Sequence, residues 1–209
     1  MKDDLTYEEI LLRILADPSL DERMKYGAAR RGHPEGSVAA HAEELNRNLL
    51  TVLACIEQGI GGPQLSSLQL SALRILIRCH DSFKGDAAPK SGIMDPNSHA
   101  SLARAYLEQY TSDQSLLNMV QRHDEPYAIY RRWQQTRDVP TERLSRLFEV
   151  EIDWDTFLLF QIIDNTTPGK KSRENPTPTA WFREQAAAAG LISRDLAAIE
   201  ERVRAAWER

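Results

Sequence analysis

The sequence predicts an all-α protein, a helical bundle with a metal site in its core. Apolar residues recur at three- and four-residue steps along most of the 209 residues, which is the spacing of an amphipathic helix. No segment shows a convincing strand alternation, and the apolar run 150–152 is too brief to build a sheet. Four of the five histidines and two aspartates are spread over separate helical segments, as in metal sites assembled in bundle cores.

The first helices are placed by their breakers and caps. An amphipathic helix over residues 6–16 is expected to stop at Pro18, because proline interrupts the hydrogen bonding of a helix. A long helix over residues 37–59 ends at a glycine, and the Gly-Gly-Pro segment 61–63 separates it from the next helix. That next helix covers residues 66–82.

The remaining helices follow from apolar spacing and polar caps. In the third helix the apolar residues lead at three- and four-residue steps to His80, which places His80 on the core side. Serine, asparagine and aspartate then mark further helix starts. These helices are expected from Asn97 or Ser98 to Tyr110, from Asp113 to about Tyr130, from Pro140 as a short segment, from Asp153 to Asp164, and over residues 193–208.

Two long loops interrupt the helices. Residues 84–97 are rich in glycine, proline and serine, and residues 165–178 are polar and rich in proline, threonine and lysine. Loops longer than about 12 residues inside a compact domain are usually functional or disordered. Each loop begins beside an aspartate, Asp81 or Asp164, and this placement favours a function.

Bulk properties limit the classes of function. The length suits one domain over residues 1–209. A net charge of −5 argues against strong non-specific binding of nucleic acid. Cys55 and Cys79 lie in apolar helical runs, as free buried thiols of a reducing compartment would. We find no signal-peptide pattern and no apolar run of about 18 residues, so we expect a cytoplasmic protein without a membrane span. The oligomeric state is left open.

The chemistry is concentrated in an ordered series of ligand-type residues: His41, the adjacent pair His80-Asp81, His99, His123 and Asp164. A lone histidine is more often structural than functional. The adjacent pair is the stronger signal, because a buried carboxylate is costly without a cation or a donor. Neighbours on a helix diverge by about 100°, so this pair meets one ion only if the ion lies where the helix ends.

The series predicts one or two divalent metal ions. Two imidazoles and two carboxylates would surround the first ion, from His41, His80, Asp81 and Asp164. Such a mixed set favours Mn, Fe, Co, Ni or Zn over Ca and leaves Mg as an alternative. If Asp81 bridges, His99 and His123 would hold a second ion, and two ions about 3.5–4 Å apart can activate a water and stabilise a leaving oxygen.

The order H…HD…H…H…D resembles the HD-domain superfamily of metal-dependent phosphohydrolases, over about residues 30–170. The stretch 32–36, Gly-His-Pro-Glu-Gly, followed by His41, is similar to the start of the HD domain appended to bacterial tRNA nucleotidyltransferases. The later histidines match within the segments 98–100, Ser-His-Ala, and 122–124, Arg-His-Asp.

The central motif is similar to the family's HD-x-x-K. It reads His-Asp-Ser-Phe-Lys-Gly over residues 80–85, with Lys84 in register and Phe83 where a glycine is common. The residues before position 30 are too few for a nucleotidyltransferase domain, so a role in tRNA maturation is not carried over.

The resemblance implies an all-helical metal-dependent phosphohydrolase. Its substrate would be a nucleotide or another small phosphomonoester or cyclic phosphodiester. Its primary ligands would be His41, His80, Asp81 and Asp164. A metal-activated water would attack phosphorus with Asp81 as a catalytic residue, and Lys84 would offset charge on the phosphoryl oxygens. The alternative for Lys84 is that it has no part in catalysis and is a solvated lysine at a helix end.

Further residues around the two loops are candidates for contacts with a small phosphorylated substrate. Cations after Asp164 would attract phosphate, although a run of charge is usually a solvated face. Polar loop side chains have local capping as their ordinary role. The candidates are His33 and Glu35 at the pocket mouth, Asn165, Thr167, Lys170, Lys171 and Arg173.

Two other classes of function stay open. A minority of HD proteins hold two irons and oxidise C–H bonds, and the two extra histidines suit that chemistry. A non-catalytic regulatory module with a structural metal is the second alternative. The sequence contains no GxxxxGK[ST], GxGxxG or GxSxG motif, and neither cysteine has the setting of a nucleophile.

Overall fold

The structure, a computed structural model, describes residues 5–30, 33–170 and 175–207. Over these ranges it consists of eleven α-helices and one short 3₁₀ helix. The same ranges contain no sheet, and their β-type pairing is limited to an isolated bridge between Arg30 and His33. The all-α prediction is therefore confirmed, and the architecture is that of a helical bundle.

The helices are labelled in chain order: α1 (Tyr7–Leu15), α2 (Pro18–Met24), α3 (Val38–Glu57), α4 (Ser67–Cys79), α5 (His99–Leu107), α6 (Gln114–Arg122), α7 (Glu125–Thr136), α8 (Thr141–Phe148), α9 (Trp154–Asn165), α10 (Pro178–Ala188) and α11 (Leu196–Ala206). The 3₁₀ helix η1 (Pro168–Lys170) lies between α9 and α10. The caps predicted from sequence are present, since the side chains of Ser98, Asp113 and Asp153 accept backbone N–H groups at the starts of α5, α6 and α9.

The sequence prediction missed one helix and merged two others, and proline explains both differences. Pro18 begins α2 behind the cap residue Asp17 instead of only ending α1, because the first turn of a helix does not need the missing N–H. The helix predicted from Asp113 to Tyr130 is two helices, α6 and α7. The ring of Pro126 would clash with the carbonyl of Arg122 in a continuous helix, so the chain breaks between these residues.

The second predicted loop is partly helical. Residues 165–178 include η1, and α10 follows immediately, with Thr177 as its cap and Pro178 in its first turn. Sequence reasoning placed no helix between residues 165 and 192, although the threonine-proline pair at 177–178 is a helix-start signal.

Helix α9 lies at the centre of the bundle. Every residue from Thr156 to Asp164 is buried, as expected for a helix that is apolar on all sides. It packs against α3, α4, α10 and α11. One continuous cluster of buried residues extends from Tyr7 to Val203. The C-terminal end of α9 thus delivers Asp164 to the interior.

Two further predictions concern the cysteines and the membrane. Cys55 and Cys79 are free, buried thiols, as predicted. Burial raises the pKa of Cys79 to about 12, so this thiol is not a nucleophile at neutral pH. Within the residues described, no helix combines the length and the apolar character needed to cross a membrane.

Candidate metal centre

Five helix ends bring the ligand series together. His41 lies in the first turn of α3, His99 begins α5, His80 and His123 are the C-cap residues of α4 and α6, and Asp164 lies near the end of α9. Asp81 directly follows the cap of α4. All of these side chains are buried except that of His99, which is 19% exposed.

The pair His80-Asp81 converges because the helix ends there. His80 Nε2 lies 3.3 Å from Asp81 Oδ2 and 3.8 Å from Asp164 Oδ1. His80 Nδ1 donates to the Leu76 carbonyl at 3.0 Å, which leaves the lone pair on Nε2. Among the described residues, no group has hydrogen-bond geometry to that buried Nε2. A lone pair between two carboxylates fits a cation, so the residues present suit a metal ion.

His41 joins this pair in a first ligand group. Ligand atoms of His41, His80 and Asp81 all lie within 4.8 Å of one another. His41 Nε2 is 2.9 Å from Asp164 Oδ1, so Asp164 lies against the same group. The four residues predicted to surround one ion are therefore neighbours in space.

A second ligand group adjoins the first through Asp81. Ligand atoms of Asp81, His99 and His123 also lie within 4.8 Å of one another. The Nε2 atoms of the two histidines are 3.2 Å apart and lie 3.6 and 3.7 Å from Asp81 Oδ1. His123 Nδ1 donates to the Val120 carbonyl at 2.8 Å. One oxygen of Asp81 thus faces each group, which is the arrangement that a bridging carboxylate requires.

A third ligand group was not foreseen as such. Ligand atoms of His33, Glu35 and His41 lie within 4.8 Å of one another. Sequence reasoning placed His33 and Glu35 at the mouth of a substrate pocket. The Glu35 side chain is only 4% exposed and lies against His41, so it belongs to the interior of the site.

Neighbouring charges keep both buried aspartates ionised. Burial by itself would raise the pKa of Asp81, but favourable interactions with His80 and with the Lys84 ammonium outweigh it and hold the pKa well below its usual value. Burial likewise opposes ionisation of Asp164, and the ammonium of Lys170 leads the opposing effects that depress the pKa. Both residues are therefore carboxylates at neutral pH, as metal ligation requires.

The imidazoles differ in their protonation. Burial lowers the pKa of His80, which keeps its ring neutral. Burial has the same tendency at His123, but the carboxylates of Asp124 and Asp81 prevail and raise its pKa to about 9. Asp124 was not among the predicted residues. Its oxygens lie 3.3 Å from His99 Nε2 and 3.7 Å from His123 Nε2.

A cleft of about 400 Å³ opens above the ligand groups. Its described lining combines metal-ligand candidates with cations and polar groups from α7, α9, η1, α10 and α11. The lining residues are His33, His80, Asp81, Lys84, His123, Asp124, Tyr127, Gln161, Asp164, Asn165, Gly169, Lys170, Pro178, Thr179 and Arg204.

The two lysines of the cleft are each paired with an aspartate of the metal centre. The Lys84 ammonium contacts Asp81 Oδ2. The Lys170 ammonium donates to both oxygens of Asp164, at 2.6 and 2.7 Å. Lys84 and Lys170 therefore line the cleft and neutralise its carboxylates at the same time.

Only some of the remaining predicted substrate residues line the cleft. His33 and Asn165 line the cleft, and Asn165 Nδ2 donates to the Gln161 carbonyl at 2.9 Å. Thr167 is buried and is not among the lining residues. Lys171 and Arg173 lie outside the described residues.

Several lining residues were missed by sequence reasoning. Asp124 directly follows a ligand histidine, and this adjacency was the available signal. Gln161, one turn before Asp164, donates to the His123 carbonyl at 2.8 Å. Arg204 lines the cleft from α11, far along the chain from the candidate ligands, and no local sequence pattern predicts this position.

The comparisons with known proteins leave the family undecided. A scan against protein-family models, a search of the curated proteins and a search of the solved structures find no match to the chain. The likeness to the HD domain therefore rests on the ordered series of residues. The case for a metal centre rests on the geometry, which places two ligand groups on a common carboxylate, Asp81, beneath one cleft.

Proposed function

We propose that the protein is a metal-dependent phosphohydrolase of the HD type. Its substrate would be a nucleotide or another small phosphomonoester or cyclic phosphodiester. The observation that carries the proposal is the pair of ligand groups sharing Asp81 beneath a cleft lined by Lys84, Lys170 and Arg204. A volume of about 400 Å³ is within the range of small-molecule sites.

The ligand set favours a transition metal. Imidazole nitrogens outnumber carboxylates, and such a set suits Mn, Fe, Co, Ni or Zn better than Mg or Ca. The first group would hold one ion through His41, His80, Asp81 and Asp164, and the second group would hold another through Asp81, His99 and His123. When bound, a divalent ion supplies an activated water and a Lewis acid for phosphoryl oxygens.

The protein side chains have complementary roles. Asp81 fixes the spacing of the two groups, because its Oδ2 faces His80 and its Oδ1 faces His99 and His123. Lys84 presents an ammonium to the cleft from a position beside Asp81, where it can neutralise charge on the phosphoryl group. Arg204 lies at the cleft wall with Nε and Nη2 donating to Glu200 Oε1, and its remaining guanidinium N–H groups suit phosphate oxygens.

The charge of the cleft depends on the metal. Among its described lining residues, Lys84, Lys170 and Arg204 are matched in number by the aspartates at 81, 124 and 164, and the raised pKa of His123 adds one positive charge without metal. A bound divalent ion would make this balance more positive, which favours a dianionic phosphate. Metal binding and substrate binding are therefore expected to be coupled.

A combined experiment tests the proposal. Elemental analysis of the purified protein should find a transition metal, and a phosphate-release screen over nucleotides, cyclic nucleotides and sugar phosphates should find turnover that Asp81→Asn abolishes. Retained metal without turnover of any phosphate would favour a regulatory module. Iron with visible absorbance after aerobic purification and no phosphate release would favour the oxygenase alternative.

A further inference from the structure

We infer that Glu35 is a positioning residue for His41, accepting the His41 Nδ1–H and so directing the lone pair of Nε2 at the first ligand group. The inference rests on the metal centre of the proposed function. It assigns a role to the third group of residues, His33, Glu35 and His41, that the first two groups do not use.

The geometry places one carboxylate between two imidazoles. Glu35 Oε1 lies 2.9 Å from His33 Nδ1 and 3.4 Å from His41 Nδ1. The Glu35 and His41 side chains are 4% and 3% exposed, whereas His33 lines the cleft. A carboxylate that receives the outer nitrogen of a ligating histidine fixes its tautomer and raises its basicity as a ligand.

The other buried histidines show what His41 lacks. His80 and His123 donate their Nδ1–H groups to the Leu76 and Val120 carbonyls, at 3.0 and 2.8 Å. The carbonyl one turn before His41, that of Ser37, accepts the His41 backbone N–H at 3.0 Å and is not bonded to Nδ1. No described residue has hydrogen-bond geometry to His41 Nδ1. Glu35 Oε1 is a charged acceptor 3.4 Å from that nitrogen, a few tenths of an ångström beyond the usual hydrogen-bond length.

The tautomer matters because of what faces the opposite nitrogen. His41 Nε2 lies 2.9 Å from Asp164 Oδ1. If Nε2 carried the proton, it would donate to Asp164 and have no lone pair for a metal. With the proton held at Nδ1 by Glu35, the Nε2 lone pair and the Asp164 oxygen both require a cation.

If Glu35 served only to pack the fold, its removal would destabilise the metal-free protein. Glu35 Oε2 is buried and unpartnered among the described residues, and Oε2 of Glu44 nearby is too. Burial, and then the charge of Glu35, raises the pKa of Glu44. A buried carboxylate with an unsatisfied oxygen costs stability, so its removal should not weaken the metal-free fold.

The test measures metal affinity in Glu35→Ala and Glu35→Gln. Zn²⁺ affinity, from competition with a chromophoric chelator, should fall about 10–100-fold in Glu35→Ala. Glu35→Gln keeps an acceptor oxygen without the charge and should fall less. The control Glu43→Ala removes an exposed carboxylate from α3, the helix that carries His41, and should bind like wild type. The thermal midpoint of metal-free Glu35→Ala should equal or exceed that of the wild type.

A second measurement reads the His41 tautomer directly. In ¹⁵N–¹H spectra of the ring, wild-type His41 should be protonated at Nδ1, and Glu35→Ala should show mixed tautomers. Wild-type affinity together with a wild-type tautomer in Glu35→Ala would overturn the role of Glu35 alone. Loss of one whole metal equivalent, with the others bound at full affinity, would overturn it by making Glu35 a ligand. A wild-type protein that binds no Zn²⁺ would instead overturn the proposed function.

Discussion

Asp81 is the residue on which the two ligand groups depend. Its Oδ2 faces His80, and its Oδ1 faces His99 and His123. The carboxylate is buried, and its pKa stays low because neighbouring positive charges offset burial. A neutral amide in the same position would keep the shape and remove the charge that a cation requires.

We therefore expect Asp81→Asn to lose bound metal and turnover together. The loss of affinity should exceed the about 10–100-fold that removal of an outer hydrogen-bond partner costs. Elemental analysis measures the metal, and added metal should raise the unfolding midpoint of the wild type but not that of Asp81→Asn, since binding to the native state stabilises it. Metal at wild-type stoichiometry in Asp81→Asn would contradict the assignment.

His99 and His123 decide between one ion and two. Each contacts the oxygen of Asp81 that faces away from His80. If they hold a second ion, His99→Ala and His123→Ala should each lower the metal content by one equivalent while the first group stays loaded. Unchanged metal content with lost turnover would assign both histidines to the substrate.

Lys84 should matter for turnover and not for metal. Its ammonium contacts Asp81 and lines the cleft, so Lys84→Ala should keep metal and fold. The loss in kcat and kcat/KM should be alike and on the order of 10²-fold, because the charge it neutralises develops in the transition state.

A matched control is the exposed pair of Lys25 and Glu22, which has the same three-residue spacing as the pair of Lys84 and Asp81. Lys25→Ala should have wild-type kinetics. Equal kinetics in Lys84→Ala would return Lys84 to the role of a solvated lysine.

At the scale of helices, sequence patterns predicted most positions and missed those set by distant packing. The cap residues Asp113 and Asp153 and the core orientation of His80 follow from local rules, and the structure has all three. Pro126 indicates a break between α6 and α7, but the apolar spacing continues across it and led to the prediction of a single helix. This break makes His123 a helix-end residue.

The grouping of the candidate ligands was predictable from the sequence, whereas the surroundings of the group were not. An ordered series of rare residues identifies candidates, because ligand chemistry demands particular side chains. The contacts of Glu35 with His41 and the entry of Arg204 into the cleft depend on how loops and α11 pack. Such contacts join residues far apart or outside any regular helix, and periodicity carries no information about them.

Asn48 on α3 holds the end of α9 in place. Its Nδ2 donates to the Ile163 carbonyl at 2.8 Å and to Thr166 Oγ1 at 3.1 Å. Its Oδ1 accepts from Trp207 Nε1 at 2.6 Å, which ties the chain after α11 to the same point. This buried amide thus secures the helix end that carries Asp164.

We expect Asn48→Ala to destabilise the metal-free protein by about 1–3 kcal/mol, because buried partners are left unpaired. Denaturant unfolding in the presence of a chelator measures the change. Asn46→Ala, at an exposed position of the same helix, should be neutral or slightly stabilising. Equal stabilities of the two variants would show that the contacts of Asn48 contribute little.

The whole molecule is acidic, with a net charge of −5, and would repel a phosphate at long range. The described lining of the cleft offsets this only weakly by itself, since its lysines and arginine are matched in number by aspartates and His123 adds one positive charge. Inorganic phosphate should therefore bind measurably to metal-loaded protein and much more weakly in the presence of a chelator. Calorimetry at phosphate concentrations that keep the metal soluble measures both states, and Asp81→Asn should resemble the chelated wild type in either buffer.

Added salt should weaken the binding of phosphate, since part of the attraction is screened. Phosphate binding of equal strength with and without metal would place the anion site away from the ligand groups and would remove the coupling on which the proposed hydrolysis depends.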